Sequence, residues 1–208
     1  MPDADSTLLV ASSNKKKLAE LVEFLRATPV TLRSLADVPA IPEPAETGAT
    51  FAENAEIKAR AYSSATGLLT LADDSGLEVD ALGGAPGVHS ARYAAPETGA
   101  AGNADDAANR AKLLRELEPF APIRRTARFR CAIAVARGSE IVLRAEGRVE
   151  GFVINTERGS GGFGYDPLFV PLGHKRTFAE MTSDEKAALS HRGRALRAIQ
   201  RELLRVLA

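Results

Sequence analysis

The sequence predicts an α/β fold in which a mixed sheet is flanked by helices. Short apolar runs alternate with helical patterns along the chain, which is typical of strands interleaved with helices. Strand patterns over residues 128–136 and 140–150 are separated by Arg137-Gly138-Ser139, which favours a hairpin. Because hairpin strands are antiparallel and crossover helices join parallel ones, the sheet should be mixed.

The first half of the chain contains two predicted strands and two predicted helices. Residues 7–11 form an apolar run that predicts a buried strand, and residues 30–35 predict a second one. The helix between them has an apolar face made of Leu18, Leu21, Val22 and Leu25. Thr50 and Glu53 match a capping box, which predicts a helix that Gly67 ends.

The second half contains further helical patterns and one glycine loop. Residues 107–117 predict a helix, and the glycine loop at 159–164 precedes a short last strand. Thr182 and Glu185 match a second capping box, which predicts one helical stretch to the C-terminus. The inner face of that stretch consists of Leu189, Leu196, Ile199 and Leu203.

Composition narrows the class of protein. A chain of 208 residues, 45% hydrophobic, can bury its core as a single domain over 1–208. Its 27 basic and 27 acidic residues balance, which argues against broad binding to nucleic acid or to an anionic membrane. The single cysteine, Cys131, excludes an internal disulfide and favours the reducing cytoplasm. Residues 1–6 do not resemble a secretory leader, and no apolar run is long enough to span a membrane.

Two adjacent carboxylates end the third apolar run. Residues 68–72 predict a buried strand, and Asp73-Asp74-Ser75-Gly76 predicts a turn at its end. Sites in open α/β folds form outside the carboxyl ends of strands. Such acids can hold a divalent cation, and one of them can accept a proton from water. On these residues alone, a polar turn is the simpler interpretation.

Two further segments carry groups suited to phosphate or metal. Ser12-Ser13-Asn14-Lys15-Lys16-Lys17 joins a strand to a helix N-terminus, which favours phosphate. The run lacks the glycines of a P-loop, so on spacing alone a capped helix with solvated lysines is the simpler interpretation. Asn54 and Lys58 are four residues apart and share a helix face. Glu46, in a proline-rich segment, could complete a magnesium shell begun by Asp74.

Two segments near the C-terminus carry groups suited to a planar ligand. The glycines of residues 159–164 let backbone amides approach a ligand while Phe163 stacks on it, although a flexible hairpin loop is an equal alternative. The dinucleotide fingerprint does not apply, because Tyr165-Asp166-Pro167 cannot open a helix cleanly. Ser190-His191-Arg192-Gly193, with Lys186, could grip a base carbonyl and a phosphate, or form a solvated basic helix end.

Together these motifs closely resemble the inosine/xanthosine triphosphate pyrophosphatase family over nearly the whole chain. In order, the motifs are Ser13-Asn14 with Lys17 and Glu20, Glu46-Thr47-Gly48, Phe51 with Glu53-Asn54-Ala55, Ala72-Asp73-Asp74-Ser75-Gly76-Leu77, Gly83-Gly84-Ala85-Pro86-Gly87, Ser90-Ala91-Arg92-Tyr93, Gly161-Gly162-Phe163-Gly164-Tyr165-Asp166-Pro167 and Ser190-His191-Arg192-Gly193. The last two are the most specific.

The resemblance implies a magnesium-dependent hydrolase that converts ITP, dITP or XTP to the monophosphate and pyrophosphate. It also implies two lobes around a central nucleotide-binding cleft, and a homodimer. Asp74 matches the general base and lies at the metal, with Glu46 and Asp73 as further Mg²⁺ ligands. The residues matched to the phosphates are Ser13, Asn14 and Lys17, with help from Lys58, and the further candidates for substrate binding in the same run are Ser12, Lys15 and Lys16. Those matched to the nucleoside are Ser75, Phe163, Gly164, Tyr165, Asp166, Lys186, His191 and Arg192.

The selectivity for inosine and xanthosine over adenine has a physical basis. Two alternatives to this activity remain. The 6-carbonyl of inosine or xanthosine can accept from Arg192 or loop amides, whereas the amino group of adenine would leave those donors unpaired. The rejection of guanine is not explained. A Maf-like pyrophosphatase of modified or pyrimidine triphosphates typically carries Ser-Pro-Arg-Arg where this chain has Asn14-Lys15-Lys16-Lys17. A non-catalytic nucleotide-binding regulator would not need Asp73-Asp74 beside a phosphate loop.

Overall fold

A computed structural model describes residues 7–26, 28–100 and 102–207. The expectation about a secretory leader concerns residues 1–6, which lie outside these ranges. The strands are β1 (Thr7–Val10), β2 (Thr31–Ser34), β3 (Leu69–Val79), β4 (Thr126–Arg137), β5 (Glu140–Val153) and β6 (Phe169–Pro171). The helices are α1 (Lys15–Leu25), α2 (Phe51–Thr66), α3 (Ala95–Thr98), α4 (Asp106–Leu117), α5 (Ser183–Leu189) and α6 (His191–Leu207).

The strands form one mixed sheet, which confirms the predicted α/β class. Its order is β2-β1-β3-β4-β5-β6. β1 pairs in parallel with β2 and β3, whereas β5 and β6 are antiparallel. The predicted hairpin joins β4 to β5 through Gly138 and Ser139, and Gly138 has the positive φ of 60° that glycine tolerates.

Strand β3 continues through the two acids, so the predicted turn at Asp73-Asp74-Ser75-Gly76 is wrong. The Ser90 hydroxyl oxygen accepts the Leu77 backbone N–H at 2.9 Å, which ties the strand down beyond the acids. A Cβ on Gly76 would lie 2.3 Å from this same oxygen, so glycine is required there. Both acids also have basic partners, described below, and therefore stay buried inside a strand.

Local signals placed the start and end of α2 correctly. The Glu53 backbone N–H donates to the Thr50 hydroxyl at 3.2 Å, and the Thr50 N–H donates to the Glu53 carboxylate at 3.1 Å. Gly67 ends α2 with a φ of 71°. Thr182 caps α5 in the same way, but the continuous C-terminal helix is not formed, because Ser190 is extended (ψ 157°) and separates α5 from α6.

The chain divides into two compact units. Unit 1 comprises Met1–Asp74, Cys131–Gly147 and Arg192–Ala208, and unit 2 comprises Ser75–Arg130 and Arg148–His191. Each has its own apolar core. The core of unit 1 includes Leu8, Val10, Leu21, Leu25, Leu71, Ile133, Leu196, Ile199 and Leu203. The core of unit 2 includes Leu77, Leu113, Leu117, Phe129, Leu168, Phe169 and Phe178.

Two side chains depart from the predicted apolar faces. Val22 is 37% exposed, because the buried stripe of α1 runs through Leu21 and Leu25. Leu189 packs against the core of unit 2, because the helix ends before Ser190. The two units agree with the expectation of two lobes, while the nucleotide-binding cleft stays a prediction. Within the described ranges, no helix is long and apolar enough to cross a lipid bilayer.

Candidate active site

The Asp74 carboxylate in unit 1 is held at both oxygens by helix α2. Asn54 Nδ2 donates to Oδ2 and Lys58 Nζ donates to Oδ1, each at 3.3 Å. The predicted common face of Asn54 and Lys58 is therefore confirmed. Asn54 Oδ1 in turn accepts the Gly48 backbone N–H at 2.8 Å, which fixes the amide. Burial raises the pKa of the Asp74 carboxyl above its ordinary value, although the positive charge of Lys58 opposes this.

Lys58 links Asp74 to the proline-rich segment. Its Nζ lies 2.8 Å from Glu46 Oε1 as well as 3.3 Å from Asp74 Oδ1. Burial alone would lower the pKa of Lys58, but the negative charges of Asp74 and Glu46 raise it, so the ammonium stays charged. Two carboxylates from separate segments thus converge on one cation.

The same two carboxylates suit a magnesium ion. Mg²⁺ is usually held by one or two carboxylates together with substrate phosphates. Where the structure describes the chain, no group of three or more Asp, Glu, His or Cys could hold a metal ion by itself. Glu46 and Asp74 supply hard oxygen donors of this kind, so they are the residues that would hold such an ion.

Asp73 is instead engaged by an arginine. Arg192 donates to Asp73 Oδ2 through Nε at 3.2 Å and through Nη2 at 3.1 Å, and its Nη1 donates to Glu20. Lys17 Nζ lies 3.8 Å from the same Asp73 oxygen. Burial alone would raise the pKa of Asp73, but the charges of Lys17 and Arg192 outweigh it and hold that pKa well below its ordinary value. Arg192, predicted at the nucleoside, contacts two acids of unit 1.

Cys131 packs beside Asp73 in the buried part of this cluster. Its Sγ lies 3.9 Å from Asp73 Oδ2, and the residue is only 1% exposed. Burial, together with the negative charge of Asp73, raises the pKa of Cys131 to about 12. The thiol is therefore protonated at neutral pH and takes no part as a nucleophile.

The predicted phosphate loop is organised by its own cap. Asn14 Oδ1 accepts the backbone N–H groups of Lys16 at 3.0 Å and Lys17 at 3.2 Å, so these amides of α1 are engaged. The Ser13 hydroxyl donates to Glu43 Oε1 at 2.8 Å, which brings an acid onto the loop. Lys17 is half-buried against Asp73, as described above. The remaining loop side chains vary in exposure: Ser12 is half-buried, and Lys15 and Lys16 are exposed.

In unit 2, one continuous segment, here termed the recognition loop, consists of Phe163, Gly164, Tyr165 and Asp166. Asp166 Oδ2 accepts the Phe163 N–H at 2.8 Å and a bond from Lys186 Nζ at 2.7 Å. The same ammonium lies 4.6 Å from the centre of the Phe163 ring. Tyr165 donates from its hydroxyl to the Ser90 carbonyl at 2.9 Å.

The other predicted nucleoside residues have different surroundings. His191 stacks on Phe129, with ring centres 4.8 Å apart and planes 10° apart, inside the aromatic core of unit 2. Ser75 is half-buried on β3. His191 and Arg192 are neighbours in sequence but belong to different units.

Several residues around the predicted set were not assigned a role from the sequence. Asn54 orients Asp74, Glu20 binds Arg192, and Glu43 binds Ser13. Asn54 and Glu20 lie within the motifs that carry the family resemblance, so the sequence already indicated that they lie near the site. Glu43 gave no signal, because a glutamate in a proline-rich segment reads as solvated.

The fold and these contacts define an α/β protein with a buried charged site on an interior strand. The sequence profile of the Ham1 family matches residues 8–202, and the chain belongs to the Ham1 family. A protein of Syntrophobacter fumaroxidans named dITP/XTP pyrophosphatase is 50% identical over 200 residues, covering 96% of this chain and 83% of the relative. One of the same name from Corynebacterium efficiens is 53% identical over 203 residues, covering 92% and 94%. The solved HAM1 protein of Coxiella burnetii aligns with a TM-score of 0.81 at 43% identity, covering 95% and 98%.

Proposed function

We propose that this protein hydrolyses non-standard purine nucleoside triphosphates, namely dITP, XTP and ITP, to the monophosphate and pyrophosphate. The observation that carries the proposal is the buried Asp74 carboxylate, held at both oxygens by Asn54 and Lys58. Relatives about 50% identical to this chain are named dITP/XTP pyrophosphatase, which supports the same substrate class.

Asp74 is the general base of the proposed reaction. A carboxylate can take a proton from an attacking water in the transition state, and a raised pKa makes it a stronger base at neutral pH. Burial raises the pKa of Asp74 in this direction. Lys58 and Asn54 keep the carboxylate oriented, so little reorganisation is needed when the water is activated.

The triphosphate is proposed to bind on unit 1. Lys58 supplies buried positive charge and Lys17 half-buried charge, and Lys15 and Lys16 supply exposed charge beside the start of α1. Ser12, Ser13 and Asn14 complete the proposed phosphate-binding set. Because Asn14 engages the amides of Lys16 and Lys17, side chains rather than these amides contact the phosphates.

Magnesium is the proposed cofactor, with Glu46 and Asp74 as its protein ligands. Bound there, the ion would supply positive charge against the charge that develops on the leaving pyrophosphate. Glu46 is preferred over Asp73 as the second ligand, because Asp73 Oδ2 accepts two bonds from Arg192. Asp73 instead keeps Arg192 and Lys17 in place beside Asp74.

The base is proposed to bind at the recognition loop of unit 2, with Ser75, Lys186 and His191 contributing. The half-buried Phe163 offers a stacking face, and the Lys186 ammonium, 4.6 Å from the ring centre, offers N–H donors for the 6-carbonyl of inosine or xanthosine. The Phe163 and Gly164 amides are bonded within the protein and are not counted among these donors. An adenine amino group would leave such donors unpaired, which is unfavourable in a closed site. Arg192 acts on Asp73 in this proposal rather than on the base.

The test is pyrophosphate release from dITP, ITP, XTP, GTP and ATP with magnesium present. Wild type is compared with Asp74→Asn and with Glu78→Gln, a control on the same strand whose carboxylate pairs with Arg130. Release from the first three nucleotides, lost only in Asp74→Asn, is expected. Equal release from all five contradicts the base selectivity. Nucleotide binding without release from any of them would instead favour a non-catalytic regulator.

The proposal includes a homodimer in the cytoplasm. Two apolar side chains support self-association, since Phe152 is 36% and Leu172 is 73% exposed in unit 2. Sedimentation at several protein concentrations tests the dimer, and a monomer throughout contradicts it. The cytoplasmic location rests on the single cysteine and on the nucleotide pool as substrate.

A further inference from the structure

Helix α4 holds both backbone polar groups of a single residue in the recognition loop. The Gly164 N–H donates to Asp106 Oδ2 at 3.0 Å, and Arg110 Nη1 donates to the Gly164 carbonyl at 3.0 Å. Asp106 and Arg110 are four residues apart, so they project from the same face of α4. Arg110 is itself fixed by Glu157, whose Oε1 accepts from Nε at 2.8 Å. All of these residues belong to unit 2.

Gly164 is the position in the loop where such a clamp has the largest effect. Its φ is +57°, a left-handed conformation that glycine adopts readily and other residues rarely do. Glycine also has more backbone freedom than any other residue, so its conformation depends on external contacts. Phe163 precedes it and Tyr165 follows it, so a change in the backbone at Gly164 is passed on to both aromatic residues.

The rest of the loop is anchored by other elements. Phe163 N–H and Lys186 are both bonded to Asp166, and the Tyr165 hydroxyl is bonded to the Ser90 carbonyl. None of these contacts involves Gly164. Its two backbone hydrogen bonds to Asp106 and Arg110 of α4 therefore anchor the remaining residue of the loop.

We propose that Asp106 and Arg110 are positioning residues that fix Gly164 and thereby set the selectivity of the recognition loop among purine bases, an inference that rests on the proposed function. Discrimination requires donors and acceptors to be held where a mismatched base leaves them unpaired. A loop that can shift re-pairs with the wrong base. Loosening the clamp therefore lowers discrimination more than it lowers turnover of the correct substrate.

The experiment compares Asp106→Ala and Arg110→Ala with two matched variants. Asp106→Asn keeps an acceptor oxygen and serves as the conservative rescue. Arg115→Ala lies on the same helix and removes a surface ion pair to Glu97 at 2.5 Å, away from the loop contacts. The measurements are kcat/KM for ITP, GTP and ATP, and hydrogen exchange of the Gly164 amide.

Both alanine variants at the clamp should lose about tenfold in the preference for ITP over GTP and ATP, which corresponds to about 1.4 kcal/mol. Gly164 exchange should become faster in Asp106→Ala, while Asp106→Asn and Arg115→Ala stay close to wild type. An unchanged preference in Asp106→Ala and Arg110→Ala overturns the clamp and leaves the proposed function intact. An equal loss of the preference for ITP in Arg115→Ala also overturns the clamp, because the effect would then come from the packing of α4 rather than from the contacts with Gly164.

A wild-type protein that releases no pyrophosphate from any nucleotide overturns the proposed function instead, and with it the selectivity role. The exchange measurement then still decides whether the clamp exists. Unchanged Gly164 exchange in Asp106→Ala would show that Asp106 does not hold the loop at all.

Discussion

Replacing Arg192 by glutamine tests how much the buried ion pair with Asp73 stabilises the fold. The two side chains are 2% and 1% exposed, so water cannot replace the lost partner. Two N–H bonds to Asp73 Oδ2, at 3.2 and 3.1 Å, would be lost together with the bond to Glu20. Removing one partner of a buried pair costs about 3–5 kcal/mol, because the other charge stays buried without that partner. Lys17 remains 3.8 Å from the same Asp73 oxygen, too far to replace the two lost N–H bonds. Arg192→Gln should therefore lower the free energy of unfolding by about this amount.

The assay is denaturant and thermal unfolding of purified variants. For a chain of this size, each kcal/mol shifts Tm by about 2–4 °C, so a drop of about 6–20 °C is expected. Arg205→Gln is the matched control, because its pair with Glu202 on the same helix is exposed and should contribute under about 0.5 kcal/mol. In the double variant Arg192→Gln/Asp73→Asn both charges are absent, so its loss should be smaller than the sum of the single losses.

Two results would refute this reasoning. A loss in Arg192→Gln no larger than that in Arg205→Gln would mean that the buried pair contributes nothing beyond a surface pair. A double variant whose loss equals the sum of the single losses would mean that Asp73 and Arg192 do not stabilise each other.

Two further predictions concern acids near the proposed site. Glu43→Gln should lower the KM for the triphosphate about two- to fivefold at unchanged kcat, because it removes a negative charge beside the Ser13 hydroxyl. Steady-state kinetics decide this, and an unchanged KM contradicts it. Acid should weaken the fold through Asp73, whose pKa is lower in the folded than in the unfolded chain. The contribution of the ionised Asp73 carboxylate to the free energy of unfolding is therefore complete above about pH 4 and is lost as the pH falls further. Unfolding at about pH 6 and about pH 3 should show a larger loss in wild type than in Asp73→Asn; equal losses would argue against this origin.

The features that the sequence predicted correctly are those set by nearby residues. The capping box of Thr50 and Glu53 spans three positions, and both of its hydrogen bonds form as expected. The common face of Asn54 and Lys58 follows from helix geometry alone, and both side chains reach Asp74. The hairpin at Gly138 depends on one turn.

The features that the sequence missed depend on distant residues. Strand β3 continues past Asp74 because Ser90 binds Leu77, and because Arg192 neutralises Asp73 from far along the chain. No local pattern records either contact. The hydrogen bond from the Gly164 N–H to Asp106 was likewise hidden, because an acid at the start of a helix is normally explained by the helix dipole alone.

The single thiol of the chain, Cys131, is an internal probe of the rate at which the protein unfolds. Because the side chain is buried and its pKa is raised to about 12, an alkylating reagent should not label it in the native protein. Labelling then requires that the core of unit 1 open. When the reagent is concentrated enough to react before the core closes again, the labelling rate equals the rate of opening. No tryptophan needs to be engineered into the chain, which has none, to follow these kinetics.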